Sequence, residues 1–161
     1  MKKLLHDEKE VPILGAEVNF IVKDSIKALN LYKKIFENSL EVIEESDFGI
    51  GSSEVIFTIH SMRFHMLDEN ENYNMVAPTG GHINTIWYNV SVRDIKQTHA
   101  NAIKNLCKEL QEVTKMDKMG ISNSMFIDTF GYVWLLHEVH EVKTYEERIQ
   151  ALKEMGIGNT E

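Results

Sequence analysis

Cysteine is nearly absent: Cys107 is the only one in 161 residues, so neither a disulfide framework nor a thiolate zinc motif can be built from this chain. A reducing cytoplasm is the natural setting. Basic clusters are missing too. Seventeen Lys and Arg against 25 Asp and Glu leave a formal charge of −8, and the lysines are scattered, which argues against a nucleic-acid surface. There is no apolar run of membrane-spanning length, and the start, MKKLLHDEKEVP, turns acidic after two lysines, so a soluble, unexported chain is expected. The chain also lacks a Gly-rich phosphate loop, a G-x-S-x-G elbow and a Cys-His pair at a strand-to-helix junction, which speaks against nucleotide hydrolysis and acyl transfer by familiar machinery.

What is present suits an ordinary core, with 43% hydrophobic residues. EVNFIV, residues 17 to 22, reads as a strand. Asp24 stands where a helix N-cap belongs, before SIKALNLYKKIFEN with Leu29, Tyr32, Ile35 and Phe36 at helical spacing. LEVIEESDF, EVIFTIHS and RFHMLD follow as short β-rich runs separated by turn signals. The segment from Asp68 to His82 is polar, carries Pro78, Gly80 and Gly81, and reads as a linker. The order then restarts: TIWYNVSV as a strand, Asp94 as a cap, IKQTHANAIKNLCKEL as a helix with Ile95, His99, Ala102, Ile103, Leu106 and Leu110 on one face, then QEVTKM, SMFID and YVWLLHEV as strands. Setting Val22-Lys23-Asp24 over Val92-Arg93-Asp94 superposes the halves at an offset of 70 residues, and a tandem duplication is the economical explanation. A last amphipathic helix is expected near the C-terminus, with Val142, Tyr145, Ile149, Leu152 and Met155 on the side that must pack.

WLLHEVH, residues 134 to 140, has the look of a metal motif, with two histidines flanking a glutamate. Its neighbours are β-branched, aromatic and few, so a strand is expected there, and residues three apart on a strand point to opposite faces. His137 and His140 then cannot hold one ion together. His137 shares its face with Leu135 and Val139, while Trp134, Leu136 and Glu138 point the other way.

The two β-α-β-β-β units, the V-x-D junction between strand and helix, IHSMRFHMLD at 59 to 68 and IDTFGYVWLLHEV at 127 to 139 resemble the vicinal oxygen chelate superfamily of glyoxalases, bleomycin- and fosfomycin-resistance proteins and extradiol dioxygenases. Within it, the Asp-x-Phe-Gly-x-x-Trp hairpin is most similar to the PhnB-like, glyoxalase-related group. The resemblance implies an α+β fold of tandem β-α-β-β-β modules forming a curved mixed sheet around a cleft, with a C-terminal helix added. It implies one glyoxalase-like domain over 1–161: module one at about 16–68, linker 69–82, module two at about 83–140 and a C-terminal helix at 141–157. Members of the family commonly dimerise and hold a divalent metal through His and Glu on the first and last strands of each module. Those four positions fall here on Glu17, His65, Trp87 and Leu135, two donors and two apolar residues. No resident metal or other cofactor is therefore expected.

Two functional classes follow. The first is a metal-free small-molecule binding protein, its ligand amphipathic or cationic and held at Trp87, Asn89, Leu135 and His137. The second is a lyase, isomerase or dioxygenase-like enzyme using Glu17 and His65, with or without a weakly held ion. A blander third possibility is an assembly role for the C-terminal helix. A cytoplasmic homodimer with a small-molecule partner, and neither nucleic acid nor membrane, completes the expectation. For each residue there is a plainer role: Glu17 paired at a strand end, His65 hydrogen-bonded, His99 packed by its ring, His60 solvated in a turn, and the tryptophans in the core.

Overall fold

A computed structural model describes residues 17–79 and 86–156. The lysine-led start, Gly80 and Gly81 of the expected linker and the final residues of the tail lie outside the described residues. The chain divides into two compact units: residues up to 85 with 129–132, and residues 86–128 with 133 onward.

In the first unit, β1 (Val18–Val22) leads to α1 (Ser25–Ile35), then β2 (Leu40–Ser46), β3 (Glu54–Ile59) and β4 (Met62–Asp68). The sheet order is β1-β4-β3-β2, with β1 and β4 parallel and the other pairs antiparallel. Asp24 caps α1 by accepting from the Lys27 N–H at 2.9 Å. The helix buries Ala28, Leu29, Leu31, Tyr32 and Ile35. Against it the strands present alternate residues, Phe20 and Val22, Val55 and Phe57, Phe64 and Met66, all nearly inaccessible. Phe57 and Phe64 are cross-strand partners and stack with ring centroids 5.2 Å apart. Burying an aliphatic or aromatic side chain of this size is worth about 1.5–3 kcal/mol, so this one apolar layer dominates the unit's stability.

Asp68, the last residue of β4, is buried and accepts three backbone N–H groups: Ser25 at 2.7 Å, Gly51 at 2.9 Å and Ser53 at 3.1 Å. It thereby ties the start of α1 to the β2–β3 loop. Residues 69–79 are less linker-like than the sequence suggests. A 3-10 turn, Glu71–Tyr73, interrupts them, Asn70 bridges Met75, Glu69 accepts from the Ala77 N–H at 2.7 Å, and Ala77 is buried. Gly131 belongs to this unit; its φ of +95° and a Pro78 Cβ 2.9 Å from where a Cβ would stand leave room for glycine alone.

The second unit repeats the order with β5 (Trp87–Ser91), α2 (Ile95–Lys104), β6 (Lys108–Met116), β7 (Ile121–Ile127) and β8 (Val133–Val139), followed by α3 (Tyr145–Glu154). Its sheet runs β5-β8-β7-β6, again with the first pair parallel. Asp94 caps α2 through the Gln97 N–H, as Asp24 caps α1 70 residues earlier. Tyr88, Val90, Phe126, Trp134 and Leu136 form the buried layer with Ile95, His99 and Ala102 of the helix. The equivalent of Asp68 at this offset is Glu138, and it too reaches the helix start, accepting from the Ile95 N–H at 2.8 Å. The duplication thus extends to a carboxylate on each fourth strand that caps the unit's own helix.

Three expectations need correction. The helix α2 stops at Lys104, because Asn105 leaves helical geometry and Leu106 takes a φ of +70°; Leu106 is exposed, Cys107 sits buried in the turn, and Leu110 belongs to β6. Helix α1 likewise ends at Ile35 rather than running to Asn38. In α3 only Ala151 is buried, while Val142 and Tyr145 of the side expected to pack are exposed. Among the described residues no helix is long and apolar enough to cross a membrane.

Candidate functional site

On the face of the first sheet opposite α1, strand alternation places Arg63, His65 and Leu67 of β4 together. Parallel pairing sets Asn19 beside His65, which brings Glu17, just before β1, next to Arg63. The Arg63 Nε donates to Glu17 Oε2 at 2.6 Å, and Glu17 Oε1 lies 3.4 Å from His65 Nδ1. On the other side of the ring, His65 Nε2 meets Glu54 Oε2 of β3 at 3.1 Å. The structure brings Glu17 and His65 together and adds Glu54 and Arg63, which the sequence alone did not single out. Arg63 was legible, two residues from His65 on a strand; Glu54 was not, since it depends on the β3–β4 register.

The other predicted residues share one face of the second sheet. Trp87 and Asn89 of β5 alternate away from α2, as do Leu135 and His137 of β8; Asn89 is paired with Leu135, and Ser91 with His137. Asn123 and Met125 of β7 continue this face, being the partners of His137 and Leu135. Gln111 of β6 donates to Asn123 Oδ1 at 2.6 Å. Trp87 is 55% exposed whereas Trp134, on the opposite face, is fully buried with its Nε1–H donated to Asp128 at 2.8 Å. Burial holds His137 below the ordinary histidine value of 6.5, so its ring is neutral at neutral pH. The face offers an exposed indole, amide groups and an uncharged imidazole.

As read from the strand, His137 and His140 do not converge. His137 is on the Trp87 face; His140 lies past the end of β8 and turns to the other side, with Ser122 and Glu138. His99 is buried, its ring 6.4 Å from that of Phe126, and its Nε2 meets Glu109 at 2.7 Å. His60 occupies an exposed turn with φ of +54°.

No sequence-family model matches the chain, and no curated protein matches it by sequence. Solved structures do. The fosfomycin resistance protein FosX from Listeria monocytogenes, in complex with Mn(II) and sulfate, matches with a TM-score of 0.59 at 19% identity over 91% of this chain and 99% of that one. TioX from Micromonospora sp. ML1 gives a TM-score of 0.57 at 16% identity over 81% of this chain and all of its own. The chain has the vicinal oxygen chelate fold. The PhnB protein from Bacillus cereus carries the same fold, with a TM-score of 0.57 at 14% identity over 78% of this chain and 100% of that one.

Members of the vicinal oxygen chelate fold that hold a metal need three or four donors with one position left open. At the four family positions this chain has Glu17 and His65, then Trp87 and Leu135, whose side chains carry no metal donor. The two donors are also engaged: Glu17 by the Arg63 guanidinium, and His65 with a carboxylate at each ring nitrogen. Among the described residues, no group of three or more His, Cys, Asp or Glu is arranged to hold a metal ion. The residues present do not fit the family's ion.

Proposed function

We propose that the chain is a small-molecule binding protein of the glyoxalase and bleomycin-resistance type, acting without a resident metal as a cytoplasmic homodimer. Its ligand is an amphipathic or cationic compound recognised on the Trp87 face. The observation that carries this reading is the half-exposed indole of Trp87 on the same face as Asn89, Leu135 and His137. An indole face attracts a cation with about 0.5–2 kcal/mol, and the chain's charge of −8 favours the same class of ligand.

The test uses berberine, a flat aromatic cation. Only two tryptophans are present and Trp134 is buried, so ligand-dependent quenching of the fluorescence reports on Trp87. Saturable quenching is expected, and loss of the stack in Trp87→Ala weakens binding by roughly 2- to 30-fold, followed by calorimetry. Equal affinity in the variant would remove Trp87 from the site.

One observation favours the second reading, an enzyme of the same fold. Glu17 and His65 form a carboxylate–imidazole pair with 3.4 Å between Oε1 and Nδ1, the type of pair that moves a proton. If it does so, Glu17→Gln abolishes turnover and leaves binding intact.

A further inference from the structure

Ser122, His140 and Glu138 form a chain of contacts that the binding face does not use. Ser122 Oγ lies 2.7 Å from His140 Nε2, and His140 Nδ1 lies 3.3 Å from Glu138 Oε1. Ser122 and Glu138 are register partners across β7 and β8, so both side chains leave the sheet on the α2 side, opposite Trp87. A carboxylate only accepts, so with Glu138 beside Nδ1 the tautomer that carries hydrogen there is favoured, and in that tautomer Nε2 accepts from the serine hydroxyl. The other Glu138 oxygen takes the Ile95 N–H, which anchors the carboxylate to the start of α2. Lys115 faces Ser122 from β6 on the same side and is paired with Asp117 at 2.6 Å.

We propose that this triad is a nucleophilic site that cleaves small, activated esters, independent of the ligand-binding role above. The three roles a hydrolytic serine needs are filled by an oxygen, a base hydrogen-bonded to it and a carboxylate beside the base's other nitrogen. Ser122 Oγ adds to the ester carbonyl carbon while its proton passes to His140 Nε2. The tetrahedral adduct collapses, the alkoxide or phenoxide leaves and takes that proton, and the acyl group remains on Ser122. Water, losing its proton to His140, then attacks the acyl carbon; the carboxylic acid departs and Ser122 recovers its hydrogen. Ser122 is only 5% exposed whereas His140 is exposed, which restricts the substrate to a short acyl group entering past the imidazole. Glu138 acts through His140 and is a positioning residue.

The serine and the histidine are 18 positions apart and meet because β7 and β8 are antiparallel neighbours, a pairing that none of the familiar hydrolase motifs encodes. That is why the sequence speaks against acyl transfer.

The test is hydrolysis of p-nitrophenyl acetate by the full chain, with labelling by methanesulfonyl fluoride, a reagent as small as an acetyl donor, in which Ser122 Oγ displaces fluoride from sulfur. Peptide mapping should place one methylsulfonyl group on Ser122. General-base catalysis contributes roughly 10²- to 10⁴-fold, so Ser122→Ala and His140→Ala should each lose at least about 100-fold in rate. His140→Ala, a change at an exposed position, should also lose the label while its circular dichroism stays that of the wild type. Glu138→Gln keeps a carbonyl oxygen for Ile95 and should lower kcat without moving KM, which a purely structural role would not do. A wild-type rate in Ser122→Ala, or a wild-type protein labelled elsewhere than Ser122, would overturn the proposal.

Discussion

Replacing Asp68 by alanine removes one carboxylate and strands three backbone donors, those of Ser25 and Ser53, which are buried, and that of Gly51, which is half-buried. Hydrogen bonds to a charged group contribute about 1.5–3 kcal/mol each, so three are worth about 4.5 kcal/mol at the lower end; allowing for partial rehydration, the loss is about 4 kcal/mol. Glu138, its equivalent 70 residues on, holds one backbone donor at the half-buried start of α2, and Glu138→Ala should cost about 1.5 kcal/mol. For a chain of this size, 1 kcal/mol moves Tm by about 2–4 °C, which gives falls of about 8–16 °C and about 3–6 °C. Thermal unfolding followed by circular dichroism, checked by urea titration, measures both. Asp68→Asn should fall between wild type and Asp68→Ala, because one amide oxygen still serves part of the donor set while the NH2 group opposes the rest. The reasoning would be refuted if the two alanine variants lost the same stability, since Asp68 serves three N–H groups and Glu138 one, and the contact of Glu138 with the exposed His140 adds little.

Acid should reveal His137. Its folded value lies below 6.5 through burial, so on acidification the unfolded chain takes up this proton first. The contribution is therefore complete above pH 6.5, shrinks as pH falls toward the folded value and is constant below it; His137→Gln should remove this part of the slope in urea unfolding measured across that range. Asp24 titrates in the opposite sense to an isolated buried acid. Burial would raise its pKa, but hydrogen bonds from the Lys27 N–H and ammonium, with the charge of that ammonium, outweigh burial and hold it below 3.8. Asp24→Ala should cost about 1 kcal/mol at neutral pH, and the gap should narrow as pH falls through the lowered pKa of the wild type. Gly120→Ala puts a Cβ into the Glu141 carbonyl oxygen at a φ of +69°, and should cost about 1–3 kcal/mol by the same assay.

Strand alternation, the Asp caps at 24 and 94 and the 70-residue offset were enough to order the elements, because each is a local signal repeated in two places. The overrun of α2 has a local cause as well: Leu106 and Leu110 fall on the helical face by spacing, yet Leu106 lies in left-handed geometry and Leu110 in a strand. Periodicity alone cannot register one residue whose φ changes sign. The site residues follow the same division. That Leu135 and His137 share a face follows from alternation, whereas the meeting of His65 with Glu54, of Glu138 with Ile95 and of Ser122 with His140 depends on strand register or on a helix start brought over the sheet. These are contacts between residues 11 to 43 positions apart, and no spacing rule in the chain announces them.

The measurement that bears most directly on metal-free recognition is elemental analysis of untagged protein purified without added metal, followed by calorimetric titration with manganese(II), zinc(II), nickel(II) and iron(II). With Glu17 held by Arg63 and apolar side chains at the positions of Trp87 and Leu135, far less than one ion per chain is expected, and no titration that Glu17→Ala or His65→Ala changes. One tightly held ion per chain, lost in both variants, would contradict the account and make Glu17 and His65 ligands of a catalytic metal.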